Sequence, residues 1–221
     1  MKEVLKKIIW LIMAAPAVYL AIVWNKLPET VAMHFDLQGH PDRFGNKSEL
    51  IILVIVFIVM NAVVYLILTN IYRIDPRKYA AENKDRLQSI AIAVSVLLAA
   101  VLSVIIYSTL QGSIKISMGL IFAGAGLLLA IVGNYLPNLK PNYFAGLRLP
   151  WTLENEENWR KTHWLAGKLF FTGGLLLGII CLFTPPVASV IIFVTGTLIM
   201  VIIPCVYSYR IYRKQKLTRN C

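Results

Sequence analysis

Residues Leu50–Asn70 read LIILVIVFIVMNAVVYLILTN. The run contains no Asp, Glu, Lys, Arg or His, and about 20 helical residues suffice to cross the hydrocarbon core of a bilayer. So apolar a stretch predicts a transmembrane helix. Working outward, the same rule picks out further runs, and the predicted spans are Leu5–Trp24, Leu50–Asn70, Ser89–Tyr107, Ile116–Leu136, Leu165–Phe183 and Val187–Tyr207. The 221-residue chain is 58% hydrophobic and 15% charged, with a mean hydropathy of +0.68. A soluble domain could not cover that much apolar surface. The expected fold class is therefore all-α: a polytopic integral membrane helix bundle of six transmembrane helices.

The net charge of +11 could suggest nucleic-acid binding, but the basic residues sit in short flanks of the spans. One set of flanks holds Lys2, Lys6, Lys7, Arg73, Arg77, Lys78, Lys84, Arg86, Lys140, Arg148, Arg160, Lys161, Lys168, Arg210, Arg213, Lys214, Lys216 and Arg219. The other holds Lys26, Arg43, Lys47 and Lys115. Basic flanks stay on the cytoplasmic side, so both termini are expected there, with no direct nucleic-acid contact. Ala15-Pro16-Ala17 resembles a cleavage site, but the apolar run continues to Trp24, and an uncleaved first span is expected. Cys181, Cys205 and Cys221 form no CxxC pair and suggest neither a disulfide framework nor a thiolate metal site.

Within the spans, Asn61 is expected to face the bundle and bond another helix. Pro16 and Pro204 predict kinks. Ala91, Ser95, Ala99 and Ser103 form a small-residue stripe, as do Gly119, Ala123, Gly126 and Ala130, and Gly174 with Gly178 is a GxxxG pair. All three are close-packing signals. No ionisable residue lies deep in a span, which argues against a proton-coupled transporter or an ion pathway. The charged connection Ile71–Gln88 reads as a solvated segment facing headgroups.

The first outer loop, residues 25–49, gathers His34, Asp36, His40 and Asp42 between turn residues Gly39, Pro41 and Gly45. Imidazoles and carboxylates can bind zinc, but the spacing matches no strong metal motif. The expectation is side chains capping backbone turns, with no metal and no cofactor.

The densest polar stretch is Asn142–Lys168, NYFAGLRLPWTLENEENWRKTHWLAGK. Thr152 is a candidate N-cap, with Glu154, Glu156 and Glu157 near the positive end of a helix dipole. Glu156–Arg160 and Glu157–Lys161 are favourable i,i+4 pairs. Asn155, Trp159 and His163 share one helical stripe, so a surface helix running into the fifth span is expected. Trp151, Trp159 and Trp164 suit the interfacial belt. Arg148 could clamp glutamates, loop carbonyls or a lipid phosphate, and His163 beside Glu156, Glu157 or Asn155 could support acid–base chemistry.

The ordered run Gly146-Leu147-Arg148-Leu149-Pro150-Trp151-Thr152-Leu153, followed by Asn155, Trp159, Lys161-Thr162-His163 and Gly167, resembles the signature of the bacterial SdpI immunity protein family. Pro28, His34-Phe35, Gly39 and Pro41-Asp42 resemble the uncharacterised domain that often precedes it. The resemblance implies two regions: residues 1–88, a two-span region with an extracytoplasmic loop at 25–49, and residues 89–221, a four-span region with a cytoplasmic motif loop at 137–164. It implies a multi-pass protein of the bacterial cytoplasmic membrane, surrounded by lipids, that protects against a secreted toxic peptide outside and holds a cytoplasmic repressor inside. Arg148, Pro150, Trp151, Thr152, Asn155, Trp159, Lys161, Thr162 and His163 would form the partner-binding motif, with His34, Asp36, His40 and Asp42 as the outer-loop motif. No enzymatic activity or catalytic residue is expected. The alternatives are an exporter of a peptide or small amphipathic molecule, or a membrane enzyme using the polar loops.

Overall fold

A computed structural model describes residues 2–36, 38, 40–77, 79–113 and 118–219. Gly39, Lys78, Lys115, Ile116 and Cys221, which figure in the sequence reading, lie outside these described residues. The helices are α1 (Lys2–Val23), α2 (Ser48–Ile74), α3 (Lys84–Gln111), α4 (Met118–Tyr135), α5 (Pro150–Glu154), α6 (Glu156–Leu182) and α7 (Pro186–Arg219). All but α5 are long and apolar enough to cross a membrane, making six spans among the described residues. Their outward faces are apolar, as at Leu11, Ile52, Leu176 and Ile191, which is the surface a multi-pass membrane protein offers to lipid. The expected six-helix bundle is the observed one.

The topology puts both chain ends, the α2–α3 connection and the α4–α6 connection at one end of the bundle, here called the terminal face. At the opposite end is an element the all-α expectation did not contain. Strands β1 (Thr30–Phe35) and β2 (Pro41–Asn46) form an antiparallel hairpin in the first loop, pairing Val31 with Gly45 and His34 with Arg43. It is seated rather than free. Val31 packs with Leu20, Val23, Leu102 and Ile106, and the Thr109 hydroxyl donates to Ala32 O at 3.3 Å.

Two helical groups make up the bundle: α3 packs on α1 and α2, while α6 packs on α4 and α7. The first group uses the stripe on α3: Ala91 is fully buried against Ile9, Met13 and Tyr65, and Asn61 Nδ2 donates to Ser95 O at 3.1 Å. An amide in a span gains by bonding a neighbouring helix instead of meeting hydrocarbon. The second group is built on glycine. A Cβ at Gly126 would collide with Gly174 O and lie 2.9 Å from Gly178 Cα, and one at Gly174 would lie 2.6 Å from Gly126 O. The two backbones touch because neither residue has a side chain, and van der Waals contact, not hydrophobic exclusion, holds helices together in lipid.

The seam sets a stability prediction. Gly126→Ala should force α4 and α6 apart and cost about 1–3 kcal/mol by overpacking. Gly124→Ala, whose Cβ would meet only the movable Leu97 side chain at 3.3 Å, should cost less than about 1 kcal/mol. Thermal unfolding of the purified variants in detergent measures both; equal midpoints would show that the seam does not govern stability.

Candidate functional site

The α4–α6 connection, residues 136–155, has little helix of its own, and its backbone groups need partners. Asn142 is fully buried and organises the turn: Nδ2 donates to Lys140 O and Ala145 O, and Oδ1 accepts from Phe144 N and Ala145 N, at 2.7–3.1 Å. Gly146 follows at φ +98°, a conformation that favours glycine, and a Cβ there would collide with His163 Nε2. The next amide, Leu147 N–H, donates to that nitrogen at 3.1 Å.

That bond defines the histidine. An amide can only donate, so Nε2 accepts and carries no proton; Nδ1 then donates to Trp159 O at 2.9 Å. The ring stacks on Trp159, 3.9 Å between centroids at 19°, and both side chains are buried. Trp159 Nε1 donates to Leu139 O at 2.7 Å. The acid–base setting imagined for His163 is therefore not formed, since both nitrogens are occupied by backbone. Trp159 is corrected likewise: it is core, packed with Ile71, Leu87, Leu136 and Ala166, because it shares the buried face of α6 with His163. Trp164, on the opposite face, is the exposed one, with Lys168 Nζ 3.7 Å from its ring centroid.

The helix start is also one element later than Thr152 suggested. Pro150 opens the short α5, and Thr152 Oγ1 accepts from Leu149 N at 3.0 Å while lying 2.8 Å from Leu147 O. Asn155 then breaks the helix with an extended backbone and caps α6, its side chain accepting from Asn158 N at 2.8 Å. Glu156 and Glu157 fall in the first turn of α6, near the positive dipole end as expected. Glu157 pairs with Lys161 at 2.7 Å. On the far side, Asn158 Nδ2 donates to Ser208 O and its Oδ1 accepts from Thr162 Oγ1, both at 3.0 Å. Trp151 Nε1 donates to Ser208 Oγ at 2.9 Å, and its ring packs on Tyr209 and Tyr212. α7 is thereby latched to the motif.

The α2–α3 connection grips the same loop and is not the solvated segment anticipated. Asn83 is buried and pairs with the Lys140 backbone twice, accepting from N at 2.9 Å and donating to O at 3.1 Å. Asp75, also buried, accepts from Arg77 N and Tyr143 N. Arg77 Nη2 donates to Leu153 O at 3.0 Å, with the guanidinium 4.5 Å from the Tyr143 ring centroid. Arg148 is exposed and takes a loop carbonyl, Nη1 donating to Tyr143 O at 2.6 Å. Asp75 was read from sequence only as part of an Asp75-Pro76 turn, and Asn83, Asn142, Asn158 and Ser208 were not singled out; the asparagines flanking Pro141 and Trp159 were the available hints.

The outer-loop residues separate into pairs on the hairpin. His34 Nδ1 is 2.6 Å from Asp42 Oδ1, and His40 Nδ1 is 3.6 Å from Asp36 Oδ2. Asp36 also caps the turn, accepting from Gln38 N and His40 N. Among the described residues no three His, Cys, Asp or Glu are grouped to hold a metal ion.

Residues 138–208, which contain the motif loop and its latch on α7, match the SdpI/YfhL protein family. Residues 11–59, from α1 through the hairpin into α2, match a domain of unknown function, DUF1648. Immunity protein SdpI of Bacillus subtilis (strain 168) is 26% identical over 200 residues, covering 87% of this chain and 88% of that protein. An uncharacterized protein of Archaeoglobus fulgidus is 45% identical over 49 residues, 22% of this chain and 27% of its own length. No solved structure matches. The resemblance seen in the 146–167 run therefore stands: residues 138–208 match the SdpI/YfhL protein family behind a segment that matches DUF1648, and the chain is similar to Immunity protein SdpI over most of its length.

Proposed function

We propose that this chain is an immunity protein of the bacterial cytoplasmic membrane, protecting its host from a secreted toxic peptide and holding a cytoplasmic repressor against the terminal face. The observation that carries this reading is the similarity to the Bacillus subtilis immunity protein across nearly the full length of both chains. The arrangement of the motif supports a binding role without a chemical step. His163 has both ring nitrogens engaged, whereas Arg148, Lys161 and the aromatic Tyr143 and Phe144 stand exposed on the motif.

The mutational test separates surface from scaffold. Arg148→Ala removes one exposed bond to a carbonyl, so folding should change by less than about 1.5 kcal/mol, while toxin tolerance of a sensitive Bacillus strain falls about tenfold, the worth of one bond to a charged group. His163→Ala leaves Leu147 N–H and Trp159 O unpaired, costs about 1–3 kcal/mol, and should lower tolerance by lowering the amount of folded protein. Full tolerance and full repressor recruitment by Arg148→Ala at equal protein level would remove the motif surface from the mechanism.

Orientation belongs to the same reading. The terminal face carries the excess of Lys and Arg, and such loops stay on the cytoplasmic side. A fluorescent protein fused after residue 221 should therefore fluoresce, and alkaline phosphatase inserted after Arg43 should be active. The reverse pattern would place the motif loop outside and exclude a cytoplasmic partner.

A further inference from the structure

At the terminal ends of α3, α4 and α6 lies a polar cavity of about 570 Å³. Arg86, Lys140 and Arg160 supply cations to its lining, Tyr79 a hydroxyl, and Glu156 and Glu157 carboxylates. The carboxylates are engaged: Glu157 pairs with Lys161 at 2.7 Å, and Glu156 accepts from Tyr79 Oη at 3.3 Å. The cations retain capacity. Arg86 donates from Nη1 to Glu82 O at 2.8 Å, leaving further guanidinium N–H groups. Lys140 Nζ stands 4.0 Å from Glu82 Oε2. Among the described residues, Arg160 is exposed and closes no ion pair.

The depth of the cavity identifies its occupant. Arg160, Trp164 and Lys168 are all exposed at four-residue spacing along α6. A tryptophan exposed on a spanning helix settles among the headgroups. Lys168, one turn deeper, folds its ammonium back over the Trp164 ring, the snorkelling a lysine adopts on the lipid-facing side of a span. Arg160 is one turn further out, about 6 Å along the axis, at the level of the lipid phosphates. Arg86 and Lys140 bring their charges to the same cavity from the α3 end and the motif loop.

We propose that this cavity binds the phosphate of an anionic phospholipid headgroup. Arg86 and Arg160 grip the phosphate oxygens with paired N–H donors, the geometry a guanidinium offers and an ammonium does not, and Lys140 adds a third positive charge. Basic pockets between helices at this depth suit such headgroups. The proposal does not depend on the immunity reading, and a protein without that activity could still hold the lipid.

The test uses the full chain in phosphatidylcholine nanodiscs containing a minority of phosphatidylglycerol, with native mass spectrometry counting the lipid retained after transfer to detergent. The wild type should retain phosphatidylglycerol in preference to phosphatidylcholine. The double variant Arg86→Gln, Arg160→Gln should reduce that retention about tenfold or more. The double Arg→Lys variant should restore part of it, and Arg43→Gln on the hairpin should leave it unchanged. Equal retention by the wild type and the double Gln variant, or no preference between the two lipids, would overturn the proposal. Inorganic phosphate is the second arm. If it raises the unfolding midpoint in detergent as much as phosphatidylglycerol does, with the same dependence on both arginines, the ligand is free phosphate and the lipid assignment fails.

Discussion

Irregular backbone folded against helix ends must find partners for every amide and carbonyl that water cannot reach, and the structure is arranged around meeting that demand in residues 139–155. Each unmet group would cost about 1–3 kcal/mol. The solution recruits side chains whose shape copies a backbone. Asn83 pairs with Lys140 as a strand would, and Asn142 satisfies two amides and two carbonyls of its own turn. His163 accepts the one amide that Gly146 turns inward. The motif is polar because the connection is non-helical.

These bonds also join the two halves of the bundle. α1, α2 and α3 pack on one another, as do α4, α6 and α7, and an apolar cavity of about 220 Å³ lies between α3 and α4 beside their contacts. At the terminal face the halves are tied directly. Asp75, Arg77 and Asn83 come from the α2–α3 connection and hold Tyr143, Leu153 and Lys140 of the motif loop. Beneath them Ile71 and Leu87 of the first half pack with Leu136, Leu139 and Trp159 of the second. The loop is thus the joint between the halves, and Trp151 and Asn158 tie it on to Ser208 of α7. The proposed lipid site borders this joint, since Lys140 contributes its backbone to one and its ammonium to the other.

The spans were legible because a run of some 20 apolar residues admits one interpretation, and the small-residue stripes announced close packing without saying which helices would meet. Where one residue type serves two environments, the sequence was silent. Trp159 and Trp164 are five positions apart with identical chemistry; only the helix face decides that one is core and the other interfacial. Thr152 and Asn155 are both good caps, and the break in helix between them is set by the loop's bonds to Leu147 and Leu149. Asp75 and Asn83 sit in a run of charges that composition assigns to solvent, and their burial depends on a loop 57–68 residues away. The hairpin escaped notice because its outward strand, Pro41–Asn46, is almost wholly exposed and carries little hydrophobic alternation.

Burial divides the motif in a way that bears on any partner. Thr152, Trp159, Thr162 and His163 are inaccessible, and their hydrogen bonds all end within the protein. Trp151 and Asn155 are half-covered, leaving Arg148, Pro150 and Lys161 exposed, with Tyr143 and Phe144 beside Arg148. Arg148 is held toward the loop by Tyr143 O, so its remaining N–H groups project from a fixed base, which lowers the entropy lost on binding an acidic group. A molecule meeting this face would read the Arg148 cation on a loop that also exposes Tyr143 and Phe144. The histidine at the centre of the motif acts at one remove, by holding the strand of backbone on which that cation is displayed.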